Sequence, residues 1–128
     1  MKQLKIGAGV AINPGTALHN IEQVLASLDM VLLMTVNPGA AGQPFIPEMV
    51  DKIALMRHIL DNRGLKAELE VDGGINSQLA PAAVKAGATV LVAGSAVFNK
   101  RETVAQAIAR IRASLEQAGT NAWECKAD

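Results

Sequence analysis

The chain has 128 residues, half of them apolar, and its twelve Lys and Arg balance twelve Asp and Glu. Zero formal charge excludes the basic footprint of a nucleic-acid binder, and the length fits one domain rather than two. No apolar run approaches the ~20 residues of a membrane span, and the start, Met1 to Ile6, lacks the apolar stretch of a secretory signal. Cys125 is the single cysteine, which rules out disulfide and Cys-based zinc scaffolds and makes a reducing, cytoplasmic setting the expectation.

Along the chain, short apolar runs alternate with segments of helical period. Residues 5–13, with Ile6, Ala8, Val10 and Ile12, read as a strand, and Asn13-Pro14-Gly15-Thr16 as a turn. Thr16 is the expected N-cap of a helix over 17–28, on which Leu18, Ile21, Val24, Leu25 and Leu28 share a face. Residues 30–36 are apolar without alternation, the pattern of a strand buried on both faces of a parallel sheet. A Gly/Pro loop over 37–47 follows. Pro47 suits the first turn of a helix over 48–62 that turns Met49, Val50, Ile53, Met56 and Leu60 inward, and Gly64 is its stop signal.

Residues 67–71 form a third expected strand, running into Asp72-Gly73-Gly74. Ser77 opens a short helix to about residue 86, and residues 89–93 are the fourth strand, ending at Gly94-Ser95. The last helix, over 101–117, sets Val104, Ile108, Ile111 and Leu115 in register. The expected division is a domain over 1–118 and a polar tail over 119–128.

The order βαβαβαβα predicts an α/β fold of parallel βα repeats. A closed eight-stranded βα barrel takes ~250 residues, so four units amount to half of one. A small open sheet, complete in itself, fits the same pattern. In a half-barrel the first and last strands lack a neighbour on one side. Such edges pair readily, so a homo-oligomer is expected.

In either architecture ligands bind beyond the carboxyl ends of the strands. Those ends carry Asn13-Pro14-Gly15, Asn37 to Gln43, Asp72-Gly73-Gly74 and Gly94-Ser95. Glycine there lets an oxyanion approach backbone N–H groups, and a short helix starting after Gly94-Ser95 would aim its positive end at a phosphate. The same glycines can instead serve only as tight βα turns. Asp72 can be a metal ligand, a proton carrier or a helix cap, and the cap role is weakened because Ser77 can cap instead. His19 and His58 fall on helices with no second ligand one turn away, and read as surface residues. There is no HExxH, no Ser-His-Asp set and no P-loop lysine. Gly7-Ala8-Gly9 lies within a strand and so is not a dinucleotide fingerprint.

Four segments resemble ribulose-phosphate 3-epimerases, in the right order and at similar spacing. Gly9 to Thr16 is similar to that family's fifth strand, and Met34 to Gly39 with Gly42 to Pro47 to its sixth strand and loop. Val71 to Asn76 is similar to the seventh strand, and Ala93 to Phe98 to the phosphate loop of the eighth. The run from Gly42 to Met49 also resembles epimerases of allulose 6-phosphate. The resemblance implies the C-terminal half of a TIM (β/α)8 barrel and an isomerase that inverts the carbon beside a ketose carbonyl through an enediolate. It further implies a divalent metal (zinc, iron or manganese) and a phosphorylated sugar as the small-molecule partner.

Carried over position by position, Asp72 would be one of two acid/bases and a metal ligand. Gly73, Gly74, Gly94 and Ser95 would hold the phosphate. Gly39, Ala40, Ala41 and Gly42 would form a flap over the substrate, and Met34 an apolar wall of the pocket. Ala40 departs from the aromatic usual in the flap. The family's other ligands, two histidines and the partner aspartate, belong to early strands, and this chain begins at the fifth. The chain is therefore expected to be a truncated form, inactive or nearly so by itself; a catalytically silent half-barrel that binds sugar phosphate or associates with a partner is the alternative expectation.

Overall fold

The computed structural model describes residues 2–39 and 42–119. Four strands form one parallel sheet in chain order: β1 (Gly9–Ile12), β2 (Met30–Met34), β3 (Glu68–Asp72) and β4 (Val90–Val92). Helices α1 (Met49–Asn62) and α2 (Ala80–Ala86) make the later crossovers, and α3 (Val104–Gln117) follows β4. The βα order and the parallel sheet read from the sequence are therefore present, with shorter elements.

The sheet has two unlike faces, because successive side chains of a strand point to opposite sides. Val31 and Leu33 of β2 and Leu69 and Val71 of β3 are fully buried and stand side by side in register. They pack with Ile53, Met56 and Leu60 of α1, Ala83 of α2 and Ile111 of α3 in one core. Burying each such Leu contributes about 1.5–3 kcal/mol. The alternate positions, Met30, Leu32 and Met34, remain half exposed. Expected burial of residues 30–36 on both faces is thus corrected: the described helices cover one face only, and the apolar residues of the other find no covering layer.

The segment 17–28 also departs from expectation. Two 3-10 turns, Leu18–Ile21 and Leu25–Ser27, replace the expected helix. Every turn bond there spans three residues, as from the Val24 N–H to the Ile21 carbonyl and from the Ser27 N–H to the Val24 carbonyl. Asn20, Ile21, Val24 and Ser27 are weak helix formers, and a helix of ~12 residues is marginal without strong packing. Thr16 does not cap: its N–H bonds the Asn13 carbonyl, and no side chain caps the turn at Ala17. Burial of Leu18, Ile21 and Leu25 holds the segment to the sheet all the same.

The longer helices end and start by local chemistry. Gly64, at φ +63°, closes α1: its N–H bonds the Asp61 carbonyl and the Leu65 N–H that of Leu60, a Schellman pair. At α3, Thr103 and Gln106 form a reciprocal capping box, which places the start at Val104 rather than at residue 101. The expected tail begins at Gly119, and residues 120–128 lie outside the described residues.

Candidate active site at the strand ends

Asp72 is the last residue of β3, aligned with Met34 of β2 on one side and Val92 of β4 on the other. Val71 faces the helices, so Asp72 faces the open side, half exposed. Neighbouring strands lie ~4.8 Å apart, so Met34 stands beside the carboxylate as an apolar flank. Among the described residues no group bonds that carboxylate. Its backbone, by contrast, is fixed: the Asp72 carbonyl accepts the Thr35 N–H at 2.8 Å.

Thr35 is the polar residue around which this end of the sheet is built, and the sequence reading passed over it. It is completely buried, yet every polar group it has is used. Besides the N–H bond to Asp72, its hydroxyl donates to the Gly73 carbonyl at 2.6 Å and its carbonyl accepts the Ile46 N–H at 2.8 Å. One residue, through its hydroxyl and its backbone, thus ties the β2 end, the Asp72-Gly73 turn and the returning limb of the Gly/Pro loop. A threonine in an apolar run looks like any β-branched strand residue, so only its contacts reveal this role.

The two glycines after Asp72 are required by space as well as by conformation. Gly73 has φ +129°, and a Cβ there would lie 2.7 Å from Val36 Cγ2 and 2.9 Å from the Val36 nitrogen. Gly74, at φ +68°, would put a Cβ 2.6 Å from the Phe45 nitrogen. Both the left-handed backbone and the close approach exclude a side chain. The β3 exit therefore presses directly on the loop that follows β2.

Asn76, not Ser77, starts the next turn, for its Oδ1 accepts the N–H groups of Gln78 and Leu79. Ser77 Oγ instead accepts a bond from Arg110 Nη1 at 2.7 Å. Arg110 also reaches the Ala96 carbonyl and pairs with Glu102 at 2.6 Å, so α3 braces the exits of both β3 and β4. The paired guanidinium holds the Glu102 carboxyl below its ordinary range. At the β1 exit, Lys52 of α1 donates to the carbonyls of Asn13, Pro14 and Thr16. Burial pushes its ammonium below the usual lysine range.

The loop at Gly94-Ser95 corrects one expectation. No helix begins there; a single turn forms, with the N–H groups of Val97 and Phe98 both bonding the Gly94 carbonyl. A helix of useful length starts only at Val104. Asn99, whose Oδ1 accepts the Arg101 N–H, holds the chain out of helix in between. What the loop offers is its own backbone: no turn or loop bond among the described residues uses the amides of Gly74, Gly94 or Ser95 as donors. Gly94 and Ser95 are exposed beside the end of β4, one strand from Asp72.

In the flap, Gly39 at φ +114° and Gly42 at φ +78° sit exposed in the left-handed region, while Ala40 and Ala41 lie outside the described residues. His19 and His58 are exposed, His58 Nε2 meeting only Asn62 Nδ2 one turn on. No group of three or more His, Cys, Asp or Glu among the described residues is placed to hold a metal ion. Asp72 offers one ligand, so these residues do not make a metal centre by themselves.

With this geometry in place, comparison with known proteins is decisive. The sequence profile of the Ribulose-phosphate 3 epimerase family matches residues 1–98, from the N-terminus through all four strand ends. The chain belongs to that family. It is 47% identical over 115 residues to the ribulose-phosphate 3-epimerase of Bacillus subtilis, an alignment covering 89% of this chain and 52% of that protein. The Synechocystis enzyme of the same name is 46% identical over 114 residues, 89% of this chain and 49% of the relative. The chloroplastic ribulose-5-phosphate-3-epimerase of Arabidopsis thaliana is 47% identical over 114 residues, 89% of this chain and 40% of its own. The chain thus spans about half the length of the curated relatives it matches. As an α/β chain of four parallel βα units, it has the architecture expected of half a βα barrel, and no helix among the described residues is long and apolar enough to cross a membrane.

Proposed function

We propose that this chain supplies one acid/base and the phosphate grip of a ketose-phosphate 3-epimerase, acting on ribulose 5-phosphate and xylulose 5-phosphate. The observation that carries the reading is Asp72: a half-exposed carboxylate, unbonded among the described residues, on a backbone held through Thr35. As a base it takes the proton from carbon 3, the C–H electron pair moves toward the carbonyl, and an enediolate results. As an acid it returns a proton to that same face. Inversion needs a second acid/base on the opposite face, and a general acid or base contributes ~10²–10⁴-fold.

Gly73, Gly74, Gly94 and Ser95 hold the phosphate through N–H groups and the serine hydroxyl. Met34 shields the reacting carbons from water, and Gly39 and Gly42 belong to the loop that follows β2 beside them. Zinc, iron or manganese, which the family resemblance implies, needs ligands beyond Asp72. The second reading is a half-barrel that binds sugar phosphate without turnover, resting on the exposed Gly94 and Ser95 beside the end of β4.

A chimera tests the proposal: the first half of the Bacillus subtilis relative joined ahead of residues 5–118. It should carry solvent deuterium into carbon 3 of ribulose 5-phosphate, and Asp72→Asn should abolish this. Exchange that survives Asp72→Asn in the folded chimera removes Asp72 from the role.

A further inference from the structure

Beyond the last aligned pair of β3 and β4, Asp72 with Val92, no backbone bond among the described residues joins the two strand exits. These exits carry the two halves of the phosphate grip, Gly73-Gly74 and Gly94-Ser95, and their spacing decides whether one anion meets both. On the β3 side the turn is fixed from behind. Gly74 lies against Phe45, and Asn76 Oδ1 accepts the N–H groups of Gln78 and Leu79. On the β4 side the Gly94 carbonyl accepts the Val97 and Phe98 amides, and Asn99 Nδ2 donates to the Ala96 carbonyl at 3.3 Å. A carbonyl and the N–H that follows it point opposite ways in a trans peptide, so these bonds turn the Ser95 amide away from the turn's interior.

A single side chain bridges the gap. Arg110 of α3 is anchored to Glu102, its Nε at 3.2 Å and its Nη2 at 2.6 Å from Oε1. Held there, Nη2 also reaches the Ala96 carbonyl at 3.4 Å, and Nη1 donates to Ser77 Oγ at 2.7 Å. The β4 exit is thus tied through Ala96 and Glu102, and the β3 exit through Ser77. An exposed ion pair contributes little by itself, and Glu102 already matches the Arg110 charge. The geometric effect is the larger one. A planar guanidinium presents its donors in fixed directions and so sets the distance between Ser77 and Ala96, which an ammonium on a flexible stem does not do.

We propose that Arg110 is a positioning residue of the phosphate grip, holding the Gly73-Gly74 and Gly94-Ser95 amides at the separation that lets one phosphate engage both. The inference rests on the phosphate reading of these loops and adds to it a residue that acts through Ser77 and Ala96 rather than on the ligand. The chain's own residues between Asp72 and Arg110 supply every group involved.

Titration of the chain with inorganic phosphate, followed by amide NMR, tests this. Arg110→Gln should raise the dissociation constant about tenfold, the cost of a grip that is no longer preorganised. Arg110→Lys should raise it nearly as much although the charge is kept. Lys100→Gln, which removes a charge from the segment after β4, should leave it unchanged. Ser77→Ala, which spares the Arg110–Glu102 pair, should weaken binding and add nothing in an Arg110→Gln background. Before any phosphate is added, Ser77→Ala should also move the Gly94 and Ser95 signals across the gap. Full recovery in Arg110→Lys, or an equal loss in Lys100→Gln, would mean simple charge attraction and overturn the inference. So would Gly94 and Ser95 signals that stay in place in Ser77→Ala. A wild type that binds no phosphate overturns the phosphate reading and this inference with it. A wild type that binds, beside an Arg110→Gln chain that binds equally well, overturns the inference alone.

Discussion

The two faces of the sheet divide the labour of this chain. On one, Val31, Leu33, Leu69 and Val71 disappear beneath the helices, and the buried polar residue at its end, Thr35, has every polar group bonded. On the other, Met34, Glu70 and Asp72 stand half exposed, and beyond the strands the amides of Gly74, Gly94 and Ser95 donate no turn or loop bond among the described residues. The first face holds the fold together; the second is where chemistry can occur. Because side chains alternate along a strand, a single residue step separates Val71 from Asp72, and the rigidity of one is lent directly to the other. Thr35 is the joint, apolar in its packing and polar in its bonds to Asp72 and Gly73.

Substituting one leucine on each face would break this comparison most forcefully. Leu69→Ala should lower stability by about 2–5 kcal/mol in urea titration, because the cavity opens in a fully packed core. Leu32→Ala, on the open face, should lose well under half of that. Equal losses would mean that something within the chain covers the open face after all.

A smaller effect is expected at the joint. Thr35→Val preserves shape but leaves the Gly73 carbonyl without its donor, which should cost about 1–3 kcal/mol. Thr35→Ser keeps the donor and should retain the protection of the Ile46 amide against hydrogen exchange, which Thr35→Val should reduce. If the two variants behave alike, the hydroxyl is not what fixes the turn.

Much of this was legible in the sequence, for reasons that can be named. The βα order followed from apolar runs separated by helical periods, and tight βα turns were one of the two readings the sequence allowed for Gly73-Gly74. Asp72 at the end of a strand pointed to the ligand side of the sheet. The burial of residues 30–36 was misread because Met30, Leu32 and Met34 are as apolar as the buried Val31 and Leu33, and hydropathy alone does not say whether a covering layer is present. The segment 17–28 has helical spacing but weak helix formers and no cap, so local 3-10 bonding prevailed. Lys52 and Arg110 were missed for another reason: their partners are loop carbonyls and hydroxyls far away in sequence, which leave no pattern near the residue itself.

The most direct measurement on the open face is an amide NMR titration of the chain with inorganic phosphate and then with ribulose 5-phosphate. The account predicts that the signals of Gly73, Gly74, Gly94 and Ser95 move together, and that Gly94→Glu abolishes the response without unfolding the chain, since an added Cβ there meets nothing within 4 Å. Shifts confined to other regions, or a Gly94→Glu chain that responds like the wild type, would contradict it.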